Sequence, residues 1–200
     1  MTLLEPYLFL KRLIVDSTNG PVAYDQRFHT GLNIIRGKNS SGKSTIANFI
    51  FYALGGDFNR WTPEARACRM VYAETEISGA SLTLRRQITD TAQQPMDIFW
   101  GTYEEANEAD LGAWKQYPYR QTQTRESFST VLFSALGFPE VTTTEESKIT
   151  MHQVLRLMYI DQDSPTLTLF RDERFDQAIT RRTIAELLLG VYDDSLYLDR

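Results

Sequence analysis

The chain has 200 residues, of which 42% are hydrophobic and 24% charged, a composition typical of one large or two small globular domains. The net charge of −5 excludes a uniformly basic surface for nucleic acid but leaves a local basic face open. A single cysteine, Cys68, excludes an internal disulfide and favours a reducing, cytoplasmic location, and no apolar stretch long enough for a membrane span occurs.

The first elements in chain order predict a β-hairpin. Tyr7 to Val15 is predicted to be a strand, Asn19-Gly20-Pro21 a turn, and Val22 to Phe28 a second, antiparallel strand. Leu32 to Ile35 is a short run rich in β-branched residues and predicts a buried strand that ends at Gly37.

A helix is predicted from Lys43 onward and is ended by Gly55-Gly56. Its apolar residues recur at helical spacing and lie on one face, which consists of Ile46, Phe49, Ile50, Ala53 and Leu54. The segment between the predicted strand and this helix therefore lies where a phosphate-binding loop would have to lie.

The middle of the chain predicts more strands. Met70 to Ile77 and Ser81 to Ile88 form a pair around the turn Ser78-Gly79, and Met96 to Trp100 extends the same sheet. Glu104 to Asp110 is acidic and is expected at the surface.

The last third is more helical. Glu126 to Leu136 and Arg174 to Leu189 are predicted helices, each followed by a glycine. Met151 to Met158 fits a helix or a strand, and its pattern does not decide between them.

One motif matches the phosphate-loop pattern G-x-x-x-x-G-K-[ST] in full: Gly37-Lys38-Asn39-Ser40-Ser41-Gly42-Lys43-Ser44. Its glycines let successive amide groups point at phosphate oxygens, and the helix start adds its positive dipole end. We expect Lys43 to reach the β- and γ-phosphates of ATP, Ser44 to ligate Mg²⁺, and Thr45 to add a hydroxyl near the α-phosphate.

The segment from Phe28 to Gly56 resembles the amino-terminal head segment of SMC-like ATPases, the group of the SMC, RecF, RecN and SbcC proteins among the ABC-type ATPases. The residues that carry the resemblance are Phe28, Gly31, Leu32, Asn33, Gly37, Asn39, Gly42-Lys43-Ser44-Thr45 and Ala53-Leu54-Gly55-Gly56. The resemblance implies an α/β P-loop NTPase fold, an ABC-type head lobe with a mixed sheet and an antiparallel β subdomain.

A second matching segment is Tyr159-Ile160-Asp161-Gln162-Asp163-Ser164-Pro165, in which Gln162 is similar to the family's Q-loop glutamine. The resemblance implies that Gln162 contacts magnesium and the γ-phosphate region and acts with Lys43 in catalysis, so we expect it near Ser44. A solvated loop glutamine is the alternative interpretation.

The long interval of 119 residues from Lys43 to Gln162 favours the SMC-like branch over membrane-transporter ATPases. Within that branch, Met158 to Gln162 is most similar to SMC-like subunits of bacterial anti-phage and anti-plasmid systems such as Lamassu.

The sequence departs from the family pattern in three respects. Ser40 stands where family loops usually carry glycine, which predicts an unusual backbone angle there. Neither an apolar strand ending in Asp-Glu nor a Ser-Gly-Gly signature occurs. We therefore expect residues 1–190 to be the amino-terminal lobe of a split head, with 191–200 leading towards a coiled coil, and this lobe to be inactive alone.

The expected partners follow from the resemblance. They are the carboxy-terminal half of the same head, a second head in a homodimer, DNA through the full assembly, and a nuclease or accessory subunit. The first functional hypothesis is a head that dimerises on ATP and engages DNA in repair or defence. The alternative is a regulatory ATP-binding module that gates a partner nuclease with little turnover. A small-molecule kinase is disfavoured, since no lid or acceptor site is recognisable.

Several other residues have two interpretations. Arg85-Arg86 and Arg181-Arg182 are expected on solvated faces or at DNA phosphates. The aromatic group Trp114, Tyr117 and Tyr119 is expected in packing rather than stacked on bases. His29 and His152 lack metal-ligand spacing, so surface or core packing is the expected role. The arginines beside Cys68 could lower the pKa of its thiol, but an ordinary buried or surface thiol is the favoured interpretation.

Overall fold

The computed structural model describes residues 6–138, 149–160 and 178–189. Six antiparallel strands form one sheet in the order β2-β1-β3-β4-β5-β6. The strands are β1 Leu8–Ser17, β2 Val22–Arg27, β3 Cys68–Ile77, β4 Ala80–Gln87, β5 Met96–Phe99 and β6 Lys115–Tyr117. The α-helices are α1 Lys43–Ala53, α2 Pro63–Arg66, α3 Tyr103–Glu108, α4 Phe128–Ala135, α5 Met151–Met158 and α6 Ala178–Leu188, and a 3-10 helix spans Leu111–Ala113.

Both predicted hairpins are confirmed. β1 pairs with β2, and β3 pairs with β4 in a continuous register from Met70 opposite Gln87 to Ile77 opposite Ala80. Ser78 and Gly79 both have positive φ, at 47° and 86°. A two-residue turn of this kind matches the right-handed twist of the flanking strands, so it sets the register of the hairpin.

The main core lies between one face of the sheet and helices α1, α4 and α5. Alternate residues of β1, β3, β4 and β5 point to this face, and aromatic side chains of α1 and α4 meet them. The buried set includes Leu13, Val15, Val71, Ala73, Leu82, Leu84, Met96, Ile98, Phe49, Tyr52, Phe128 and Leu132. The core therefore holds α1, the helix that follows the phosphate loop, against the sheet.

The aromatic residues Trp114, Tyr117 and Tyr119 pack on both faces of the sheet, with Trp114 on the face opposite the main core. Trp114 lies beside Phe99 and Tyr72, and the Arg85 guanidinium lies 4.1 Å from the centre of its ring. Tyr117 and Tyr119 are buried on the core side. The packing interpretation of these aromatic residues is confirmed, and Arg85 is bound in an ion pair with Asp97 at 3.0 Å.

The structure decides that Met151–Met158 is a helix. Thr150 and Gln153 form a reciprocal capping box at its start, in which the Gln153 Oε1 accepts from the Thr150 amide at 2.8 Å. α6 confirms the last predicted helix from Ala178 onward, whereas the predicted start at Arg174 lies outside the described residues. Within the described ranges, no helix has both the length and the hydropathy to cross a bilayer.

The buried strand predicted at Leu32 to Ile35 is wrong. This segment has no strand structure, and Leu32, Ile34 and Ile35 are 77%, 63% and 37% exposed. A buried strand needs a neighbour to pair its backbone groups, and both edges of the nearby β1 are occupied by β2 and β3. All strand pairs in the described part of the chain are antiparallel, so the parallel component of the expected mixed sheet is not formed there.

The expectation for Arg86 is also wrong, because it lies neither on a solvated face nor at a surface for DNA. Its side chain is 1% exposed and inserts between the sheet and the carboxyl end of α1. Nη1 donates to the carbonyl oxygens of Tyr52 and Gly56, each at 2.7 Å, and Nη2 donates to that of Gln94 at 2.9 Å. The guanidinium also lies 3.9 Å from the centre of the Tyr52 ring. Burial lowers its pKa, and the carbonyl groups and ring compensate part of the lost hydration.

We predict that Arg86→Met destabilises the fold by about 3 kcal/mol or more, because it leaves buried carbonyl groups without donors. Arg69→Met is the matched control, since the Arg69 side chain is 61% exposed, and should cost less than about 0.5 kcal/mol. Urea unfolding of both variants measures the difference. Equal stabilities would contradict the anchoring role of Arg86.

Candidate nucleotide-binding site

The start of α1 is open to an anion. Gly42 is its N-cap with φ 85°, no side chain caps the first turn, and the turn contains no acidic residue. The first amide groups of an α-helix lack partners within the helix, and they carry its positive dipole end. An uncapped start of this kind, preceded by a glycine loop, is suited to bind phosphate.

The loop in front of the helix is folded tightly on itself. A Cβ atom at Gly37 would lie only 2.2 Å from the Ser41 Oγ, so a larger residue at this position would require the Ser41 side chain to move. The Ser41 amide donates to the Lys38 carbonyl at 3.3 Å and closes a turn. The close approach of Ser41 favours glycine at the first position of the motif.

Lys43 lies inside the curve of this loop. Its ammonium group donates to the carbonyl oxygens of Gly37 at 3.1 Å and Lys38 at 2.8 Å. The loop carbonyls thus hold the cation beside the exposed start of α1. The positive charge of Lys43 and the amide groups at the start of α1 therefore lie close together.

Ser44 and Thr45 occupy the first turn of α1. Ser44 is exposed and Thr45 is partly buried, and Lys38, Asn39, Ser40, Ser41 and Gly42 are exposed in the loop. The nine consecutive residues from Gly37 to Thr45 that are predicted to hold ATP are therefore all described, and Ser44 is among them. Their roles in binding stay predictions.

Ser40 adopts the backbone conformation that its family position predicts. Its φ is 61°, in the left-handed region that glycine enters freely. A serine there costs about 1 kcal/mol relative to an unstrained position. The loop geometry is thus retained although the glycine is replaced.

The segment that enters the loop is shaped by Asn33. The Asn33 Oδ1 accepts from the His29 amide at 3.1 Å, and its Nδ2 donates to the carbonyl oxygens of His29 at 2.7 Å and Gly31 at 3.2 Å. Asparagine side chains commonly fold turns in this way, and Gly31 has φ 88°. Gly31 and Asn33, two positions apart, are the sequence signal for this turn.

Helix α5 packs along α1 through residues that sequence analysis did not place at the site. The Tyr159 hydroxyl donates to Asn48 Oδ1 at 2.5 Å, and the Tyr159 ring stacks on Phe51 with centres 4.8 Å apart. His152 Nδ1 accepts from the Asp57 amide at 2.9 Å. No sequence pattern links residues 111 positions apart.

Several other expectations are resolved here. The packing interpretation of His152 is confirmed, since its ring meets Phe51 edge-on with ring centres 5.7 Å apart. Burial raises the pKa of the Cys68 thiol, which agrees with the ordinary thiol favoured from the sequence over one activated by neighbouring arginines. Arg181 and Arg182 are exposed on α6, and Arg182 pairs with Glu186 at 2.7 Å. Gln162 lies outside the described residues, and its position near Ser44 stays a prediction.

A helix start with no side-chain cap, preceded by a glycine loop and a lysine held at the same place, is suited to bind the phosphates of a nucleotide. Together with the complete sequence motif, this geometry defines a P-loop nucleotide-binding domain. Comparison with protein families agrees: a family described as an AAA domain matches residues 27–189, and the chain belongs to this family of AAA-type P-loop ATPases. A comparison with curated proteins finds no significant match. The family match and the structure together confirm an α/β fold, and membership of this family supports ATP binding and ATPase activity in general.

We predict that Ser40→Gly retains nucleotide binding, because glycine accepts positive φ, whereas Ser40→Val weakens it at least about tenfold. A β-branched residue in the left-handed region forces the loop out of its present shape. Titration with MgATP compares the two variants, and circular dichroism checks that both remain folded. Undiminished affinity in Ser40→Val would show that the observed loop conformation is not the one that binds nucleotide.

Proposed function

We propose that the chain is the ATP-binding half of an SMC-like ATPase head. In this proposal the head dimerises on ATP and couples ATP binding and hydrolysis to DNA engagement, in DNA repair or in anti-phage and anti-plasmid defence. The observation that carries the proposal is the exposed apolar segment at Leu32, Ile34 and Ile35, directly in front of the phosphate loop.

This segment is unusual for a globular surface. Its residues have strand-forming types, yet within the described part of the chain their backbone groups have no strand partner. Consecutive apolar residues left exposed beside a functional loop are typical of a surface that another chain segment covers. The carboxy-terminal half of an ABC-type head is such a segment, since it would supply the missing strands of the mixed sheet.

A cleft beside this segment supports the same conclusion. It has a volume of about 380 Å³ and lies between the start of β1, the segment before the loop and α1. Its apolar lining includes Phe9, Leu10, Phe28, Ile35 and Ile50. A second half packed here would bury Ile35 and Ile50 and would contact both α1 and the segment that leads into the phosphate loop.

The chemistry of the proposed site follows from the loop. The amide groups of Gly37 to Ser44 and the Lys43 ammonium would hold the β- and γ-phosphates of ATP, and the Ser44 hydroxyl would ligate Mg²⁺. When bound, Mg²⁺ neutralises the charge on the phosphates. Gln162 would position the metal-bound water or the γ-phosphate through its amide group.

Hydrolysis needs groups that this chain does not provide by sequence. The catalytic glutamate and the signature loop are expected from the carboxy-terminal half and from a second head. The homodimer, DNA and a nuclease or accessory subunit are therefore the proposed partners. The alternative, a module that gates a partner nuclease with little turnover, becomes an outcome of the experiments below.

We predict that Lys43→Ala abolishes ATP binding without loss of fold, because it removes the cation held inside the loop. The matched control is Lys11→Ala, since Lys11 lies on β1 and makes only a 3.8 Å ion pair with Glu76. Calorimetric titration with MgATP measures both variants. Unchanged affinity in Lys43→Ala would reject the nucleotide site.

We predict that Gln162→Ala, in the intact protein, lowers ATP turnover or head pairing more than ATP affinity. The loop amides and Lys43 supply most of the phosphate contacts, whereas the glutamine acts on the metal and γ-phosphate. Steady-state hydrolysis with and without DNA, together with nucleotide titration, separates the two effects. Equal losses in affinity and turnover would count against the Q-loop role. Absence of DNA stimulation would favour the gating module.

A further inference from the structure

Asn48 lies one helical turn beyond Ser44 on α1 and makes a contact that the function of the loop does not by itself explain. Its Oδ1 accepts from the Tyr159 hydroxyl at 2.5 Å. The Tyr159 ring also stacks on Phe51 with an interplanar angle of 29°. These two contacts of Tyr159 are both made to the helix that starts at the phosphate loop.

A second set of contacts joins α5 to the other end of α1. The Asp57 amide, just after α1, donates to His152 Nδ1 at 2.9 Å, and the His152 ring meets Phe51 edge-on at 5.7 Å. Gly55 approaches Met151 so closely that a Cβ there would lie 2.9 Å from the Met151 Cβ. α5 therefore holds α1 from its middle to its carboxyl end.

The residue type at position 48 is informative. Asparagine is a poor residue for a helix interior, because its side chain competes for nearby backbone groups. The Tyr159 hydroxyl donates to the Asn48 oxygen, so this side chain has a partner outside its own helix. Ser44 lies one turn before Asn48 on the same helix, so the contact holds α1 directly behind the phosphate loop.

We propose that Asn48 and Tyr159 are positioning residues for the nucleotide, and that docking of α5 onto α1 and nucleotide binding at the loop strengthen each other. The inference rests on the proposed function only in requiring that the Gly37–Ser44 loop bind ATP. It requires neither DNA nor a second head. Thermodynamic linkage makes the coupling reciprocal, since whatever α5 adds to nucleotide affinity the nucleotide adds to α5 docking.

Two variants remove the same hydrogen bond from opposite sides. Tyr159→Phe keeps the ring that stacks on Phe51, and Asn48→Ala keeps the tyrosine. In the intact protein each should weaken MgATP binding by about three- to tenfold, the factor that corresponds to one hydrogen bond. The double variant should be no weaker than either single variant, because both lose one shared contact. Tyr7→Phe, at an exposed tyrosine, is the control and should bind as the wild type does.

Hydrogen exchange provides a readout that a purely structural role would not change. MgATP should slow amide exchange in α5 of the wild type, and this protection should be reduced in Tyr159→Phe and Asn48→Ala. Wild-type affinity in both variants, with α5 exchange unaffected by MgATP, would overturn the inference while leaving the proposed function intact. Failure of the wild type itself to bind MgATP would overturn both.

Discussion

The position of α1 is the constraint on which the nucleotide site depends, and the buried Arg86 guanidinium is its anchor. Arg86 donates to carbonyl groups at the carboxyl end of α1, where the helix dipole is negative, and lies against the Tyr52 ring. The amino end of the same helix has no cap. A cation fixed in the core thus stabilises one end of α1, while the other end is left for the phosphates of a nucleotide.

The loop shows where the chain departs from its most stable arrangement. Ser40 is held at positive φ, glycine stands at the N-cap position 42, and the Lys43 ammonium donates to the backbone carbonyls of Gly37 and Lys38. Each of these features is unfavourable or neutral for folding, and they occur within a few residues of one another. Unfavourable local geometry that the surrounding fold maintains is typical of functional sites.

The surface around the loop is equally uneven. Toward the sheet, α1 is buried by aromatic packing, with Trp61 stacked on Phe49 at 5.1 Å. On the side of Leu32 and Ile34 the chain exposes apolar residues and an open cleft. The two sides differ because α1 packs on the sheet on one side, whereas the strand-type residues on the other side have no strand partner among the described residues. An incomplete surface beside a complete nucleotide loop is the physical basis for a head assembled from two halves.

The sequence by itself determined the local features of this protein. The phosphate loop, both hairpins and the extent of α1 follow from glycine placement and from periodicities of two or 3.6 residues, which act between neighbours in the chain. The tertiary structure decided the rest. Arg86 is buried, Leu32 to Ile35 is not a strand, and Tyr159 meets Asn48, because these outcomes depend on which distant segments supply hydrogen-bond partners and cover. A strand requires a free sheet edge and a buried cation requires acceptors. In both cases distant segments of the chain supply the partners, so the local sequence does not show whether they are present.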